Sequence, residues 1–111
     1  MAFNYAYRFT EKAETDLTEI LRYINDELSN PSAAQDLGRK IFESIDNVRN
    51  FPQSGSVVDN SFLADKTVRR IVVDNYIVYY KASESEKTIY IIRIVYGKRN
   101  LDEIYREINA L

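Results

Sequence analysis

The chain's 111 residues suffice for one domain, and an apolar fraction of 45% can supply a core, which sets it apart from disordered proteins. It has no cysteine and no histidine, so disulfides, thiolate metal sites, His-ligated zinc and Ser-His-Asp hydrolysis are excluded. Net charge is −2, unevenly spread: residues 1–65 hold 6 Lys/Arg against 11 Asp/Glu, residues 66–99 hold 8 against 3, and residues 100–111 hold 1 against 3. This near-neutrality argues against a bulk nucleic-acid binder; the basic stretch fits either a local site or cations lining the solvent side of strands. Met1–Thr10 carries no apolar signal core, and no stretch approaches the ~18 apolar residues of a membrane span. A cytoplasmic protein with no membrane contact is expected.

Tyr5, Tyr7 and Phe9 recur at period two, which predicts a short strand. Thr10 has the chemistry of a helix N-cap, with Glu11 suited to the positive helix end. Ala13, Leu17, Ile20, Leu21, Ile24 and Leu28 then fall at helical spacing and predict one amphipathic helix over 11–28. Asn30-Pro31 stops that helix and starts the next, since proline's missing N–H has no partner in a first turn anyway. Ala34, Leu37, Ile41, Ile45 and Val48 form the stripe of the second helix, which runs to about Asn50. So short a link makes the two helices antiparallel neighbours.

Residues 52–66 read as a loop. Strands follow over 68–73 and 76–81, joined at Asp74-Asn75, whose short polar side chains suit a tight hairpin turn. Ser83 to Glu86 makes a second turn, and 88–96 is a long strand. Strict alternation in it puts Ile89, Ile91, Arg93 and Val95 on one face and Tyr90, Ile92, Ile94 and Tyr96 on the other, so it is central and covered. Leu101, Ile104, Tyr105 and Ile108 predict a short C-terminal helix. Residues 1–111 thus read as a single α+β domain: an N-terminal strand, an antiparallel helical hairpin packed on a small antiparallel sheet, and a short last helix.

Certain segments have a wider likeness. Val68-Arg69-Arg70-Ile71-Val72-Val73-Asp74-Asn75-Tyr76-Ile77-Val78-Tyr79-Tyr80, followed by Arg93 to Leu101 with its Arg-x-x-x-Gly-x-Arg-Asn-Leu spacing, resembles the RelE/ParE superfamily of type II toxins. The front half is similar to it as well, in Thr-Glu-Lys-Ala opening the first helix, Asn-Pro-x-Ala-Ala the second, and Phe-Pro-x-Ser-Gly after it. The resemblance spans roughly Tyr5 to Tyr105 and rests on the order of these pieces. It implies one of two activities. ParE-like toxins poison DNA gyrase, whereas RelE-like toxins cut messenger RNA on the ribosome; both are neutralised by an antitoxin whose extended segment wraps them.

Under the RelE-like reading the resemblance makes Arg69, Arg70, Arg99 and Tyr105 the catalytic candidates, in a metal-independent endoribonuclease with no cofactor. Such chemistry needs a proton acceptor, cations for the phosphate and a donor for the leaving oxygen. Against it, Ile77 stands where RelE-like enzymes carry an arginine, and a ribosome binder gains from a strong positive charge that this chain lacks. The ParE-like reading, with gyrase as target and no chemistry of its own, is therefore the nearer one. Growth arrest on expression would separate both from a binding module that has lost toxicity.

Under either reading Arg69, Arg70, Lys98 and Arg99 are partner-binding candidates, and an acidic, disordered antitoxin tail would complement the basic segment. Operator recognition in such pairs belongs to the antitoxin, so no direct DNA reading is expected. Plainer accounts stand beside these. Arg69 and Arg70 are strand neighbours and point to opposite faces. Arg93 reads as a structural arginine paired with a carboxylate. Tyr105 fits core packing as well as catalysis, and the nine tyrosines read as half-buried sheet residues. Asp102-Glu103 lacks a second pair for a metal and reads as a solvated helix face.

Overall fold

The computed structural model describes residues 4–111; the first three positions of the Met1–Thr10 segment lie outside them. Strand β1 (Ala6–Phe9) leads into helix α1 (Glu11–Arg22), which widens into a π-helical turn (Tyr23–Glu27) before α2 (Pro31–Asn50). Strands β2 (Ser56–Val57), β3 (Arg69–Val73), β4 (Tyr76–Ser83) and β5 (Thr88–Tyr96) follow, then helix α3 (Leu101–Asn109). The five strands form one sheet in the order β1-β5-β4-β3-β2. The expected α+β fold is present. Its sheet is antiparallel from β2 to β5, but β1 joins parallel to β5, with Ala6 opposite Thr88 and Phe9 opposite Ile91.

The helix starts behave as their residues dictate. The hydroxyl of Thr10 accepts from the Ala13 N–H at 3.1 Å, and the Asn30 side chain accepts from the Ala33 N–H at 3.1 Å with Pro31 in the first turn. Asn100 caps α3 in the same way through Glu103. The first helix departs from expectation near its end. Leu28 N–H reaches back to the Tyr23 carbonyl at 3.1 Å, a π-type bond, and Ser29 takes a positive φ of 47°. The wider turn keeps Ile24 buried but swings Leu28 outward to 55% exposure, so Leu28 does not belong to the apolar stripe.

The sheet separates two cores. On one face the helical hairpin packs Leu37, Ile41, Ile45 and Val48 against Val78, Tyr80, Ile89, Ile91 and Ile94. On the other, α3 and the 58–68 segment bring Ile104, Tyr105, Ile108, Val58 and Leu63 onto Ile77, Tyr79, Ile92 and Val95. Strict alternation along β5 fails. A register shift opposite Tyr79/Tyr80 leaves Ile92 as the extra residue, so Ile91 and Ile94 share one core and Ile92 joins the other. The 52–66 segment is mostly irregular, as its composition predicts, yet it contributes β2 and two buried core residues, Val58 and Leu63. No helix among the described residues is long and apolar enough to cross a membrane.

Candidate functional site

β1 covers β5 only as far as Ile91, and α1 completes the edge. Thr10 N–H donates to the Ile91 carbonyl at 3.0 Å, and its hydroxyl donates to the Ile92 carbonyl at 2.9 Å. The Asp16 carboxylate accepts the Ile94 N–H at 3.0 Å, standing in for a missing strand. The same carboxylate receives Arg93 through Nε at 2.7 Å and Nη2 at 3.2 Å, while Arg93 Nη1 reaches Glu107 of α3 at 3.1 Å. Arg93 is 1% exposed. Burial works against its charge, but the two carboxylates outweigh that and hold its pKa above the usual arginine range. Arg93 is thus the carboxylate-paired structural arginine expected of it. Asp16 and Glu107, its partners from α1 and α3, carry no sequence signal that would have singled them out.

The candidate arginines separate. Arg69 lies opposite Tyr80 in register and on the hairpin side, where its Nη1 donates to the Gly55 carbonyl at 2.7 Å and the Gln53 carbonyl at 3.3 Å. It pins the loop after α2. Arg70 lies opposite Tyr79 and so faces α3. Tyr79 is wholly buried and donates to the Tyr105 hydroxyl at 3.1 Å, their rings meeting edge to face. Burial and then the bond to Tyr105 push the Tyr79 hydroxyl above the usual phenol range, with the nearby Arg70 opposing part of the rise. Arg70 and Tyr105 therefore share one tyrosine-lined corner, to which Arg69 does not contribute. Tyr105 itself is 4% exposed, packed among Ile104, Ile108 and Ile77.

Lys98 and Arg99 occupy the exposed turn between β5 and α3, beyond the strand ends at Val73, Tyr76 and Tyr96. The turn is fixed by its backbone: Gly97 N–H donates to the Asn75 carbonyl at 2.8 Å and Arg99 N–H to the Tyr96 carbonyl at 3.1 Å. Among the described residues Arg70, Lys98 and Arg99 form no salt bridge, leaving their charge available to a partner. Ile77, at 5% exposure, is part of the α3-side core and places no cation there. Asp102 and Glu103 occupy the first turn of α3, and no group of three acidic side chains converges among the described residues.

Residues 7–101 match the family described as the ParE toxin of the type II toxin-antitoxin system parDE. This chain belongs to that family. It is a toxin of a type II toxin–antitoxin system, within the RelE/ParE superfamily. Among solved structures it is similar to the chromosomal ParDE system from P. aeruginosa, at 20% identity and a TM-score of 0.67, over 85% of this chain and 97% of that one. The RelBE2 toxin–antitoxin complex from Mycobacterium tuberculosis is similar at 17% identity and a TM-score of 0.59, over 85% and 92%. A double arginine-to-alanine variant of the E. coli toxin RelE in the free state is similar at 14% and 0.60, over the full length of both chains. At these identities the structural likeness speaks for the fold. No curated protein matches the toxin's sequence.

Proposed function

We propose that this toxin arrests growth by binding and poisoning DNA gyrase in the cytoplasm, with no chemistry of its own. A cognate antitoxin holds it inactive in a heteromeric complex, as the toxin–antitoxin relatives suggest. The observation that carries the reading is the state of Tyr105. An acid–base group must come within hydrogen-bond reach of the proton it moves. Tyr105 is buried at 4% exposure with its hydroxyl engaged by Tyr79, and no histidine exists to replace it. Arg69 is occupied by loop carbonyls and Ile77 offers nothing to a phosphate. What remains on the surface, Arg70, Lys98 and Arg99, suits recognition of a partner better than cleavage.

The exposed Lys98-Arg99 turn beside α3 is the one feature that favours ribosome-dependent mRNA cleavage instead. Purified toxin separates the two. The expected result is inhibition of supercoiling by purified gyrase, with messenger RNA left intact in a translating extract. Cleaved messenger RNA and unaffected supercoiling would reverse the assignment.

A further inference from the structure

The end of the sheet past the last turn of α1 carries a cluster of three tyrosines. Tyr76 opens β4 and stands opposite Tyr96 at the end of β5, their rings meeting edge to face with centroids 5.7 Å apart. α1 runs along β5 toward the same end, with Thr10 bonded to Ile91 and Asp16 to Ile94. Tyr23 comes seven residues after Asp16, two turns on and so on the same side of the helix, about 10 Å further along. It thereby reaches the Tyr76–Tyr96 pair. Burial pushes the Tyr76 hydroxyl above the usual phenol range, and the neighbouring phenols of Tyr96 and Tyr23 push it the same way.

Three features set this cluster apart from the other sheet tyrosines. It is open, with Tyr23 54% and Tyr96 39% exposed. Its hydroxyls are idle. Those of Tyr79, Tyr80, Tyr90 and Tyr105 each have a partner within the chain, whereas those of Tyr23, Tyr76 and Tyr96 make no hydrogen bond among the described residues. Lastly, Tyr23 opens the π-helical turn, a form that recurs at functional sites. That turn leaves Leu28 exposed and ends on the left-handed Ser29, so core packing alone does not account for it.

The surroundings select the occupant. The centre is aromatic and uncharged, and the rim carries both signs. Asp26 and Glu27 stand on the π-helical turn and Asp74 on the β3–β4 turn, while Lys98 and Arg99 follow Gly97, whose N–H bonds the Asn75 carbonyl. This is the anatomy of a protein–protein contact, where aromatic side chains, tyrosine prominent among them, fill the centre inside a polar rim. A phosphate backbone or an acidic antitoxin tail would meet the three rim carboxylates instead. We propose that Tyr23, Tyr76 and Tyr96 form the face with which the toxin grips its target enzyme, docking a gyrase surface that offers carbonyl acceptors to the three phenols. The proposal rests on the gyrase reading above and assigns the contact within it.

Tyr23→Ala combined with Tyr96→Ala is the test, since both side chains are exposed and their loss leaves the core intact. Parent and variant are compared in inhibition of supercoiling by purified gyrase and in affinity for the cognate antitoxin. The variant is expected to need about a hundredfold more toxin for equal inhibition, the worth of two interface hot spots, while holding antitoxin as the parent does. Equal inhibition by both overturns the cluster and leaves gyrase as the target. A parent that does not affect supercoiling overturns the gyrase reading and the cluster with it. Should the alanine variant lose antitoxin as well, Tyr23→Phe with Tyr96→Phe, which keeps both rings, decides. Inhibition weakened about tenfold with antitoxin binding retained supports the cluster. Unchanged inhibition overturns it, and so does parallel loss of both activities, which would give the surface to the antitoxin.

Discussion

The two faces of the sheet are held by different physics. The hairpin face is sealed by side chains of two long helices, nearly all aliphatic or aromatic, in a pattern set by helical period. The α3 face has a smaller apolar core, and polar ties do much of the fastening. Asn109 bonds the Phe62 carbonyl at 2.6 Å and the Ala64 N–H at 2.8 Å, Arg106 lies 4.4 Å over the Phe62 ring, and Glu107 reaches Arg93. The lesson concerns where function can reside. A face closed by long apolar helices has few groups left to offer, whereas a face closed by a short helix and a loop leaves Arg70, Val72 and the Lys98-Arg99 turn accessible at its margin.

Arg93 joins the two faces, and removing it breaks the comparison most severely. Arg93→Ala leaves Asp16 buried at 7% exposure without its cation, and the expected loss is about 3–5 kcal/mol of folding stability in urea denaturation. Asp16 would keep its bond to Ile94 N–H, so the variant should retain the sheet while loosening α3. A loss under about 1 kcal/mol would mean that the pair adds little beyond its own desolvation.

A far smaller effect is expected on the α3 side at Asp65, whose carboxyl is drawn down to about 2, chiefly by Lys81 at 2.7 Å and then by Thr67. A carboxyl with a depressed folded pKa contributes stability that is complete above its ordinary value, 3.8, and is lost as pH falls from there toward about 2. The pair is more than a third exposed, so solvent screening limits the gain to a few tenths of a kcal/mol. Asp65→Asn should match the parent near pH 2 and fall slightly below it at pH 7. A parent advantage that grows on acidification would contradict the assignment.

The difference between the faces also explains what the sequence discloses. Helical period and capping chemistry fixed the hairpin, and Thr10, Asn30-Pro31 and Asp74-Asn75 each do what their side chains favour. These are local signals. What remains depends on contacts between distant residues: β1 lies beside β5 across some eighty positions, and the 52–66 segment reads as a loop although packing against α3 and the sheet buries its Val58 and Leu63. The extra residue at Ile92 is invisible to a period-two reading, since nothing in β5 alone says where its partner strand slips. The same limit governs the candidate site. That Arg69 and Arg70 part to opposite faces follows from strand geometry, and Arg93 as a paired arginine follows from its place in an apolar strand. The hold of Tyr80 on the Gly55 loop appears only once the fold brings residues 25 positions apart together.

Growth arrest by Tyr105→Phe puts the central claim to its most direct test, because the substitution keeps the ring and removes only the hydroxyl bonded to Tyr79. Induced expression of a folded Tyr105→Phe toxin is predicted to stop growth as the parent does, at a cost of about 1 kcal/mol in stability for the lost hydrogen bond. A variant that folds and still binds antitoxin, yet permits normal growth, would contradict the account and return Tyr105 to the chemistry of RNA cleavage.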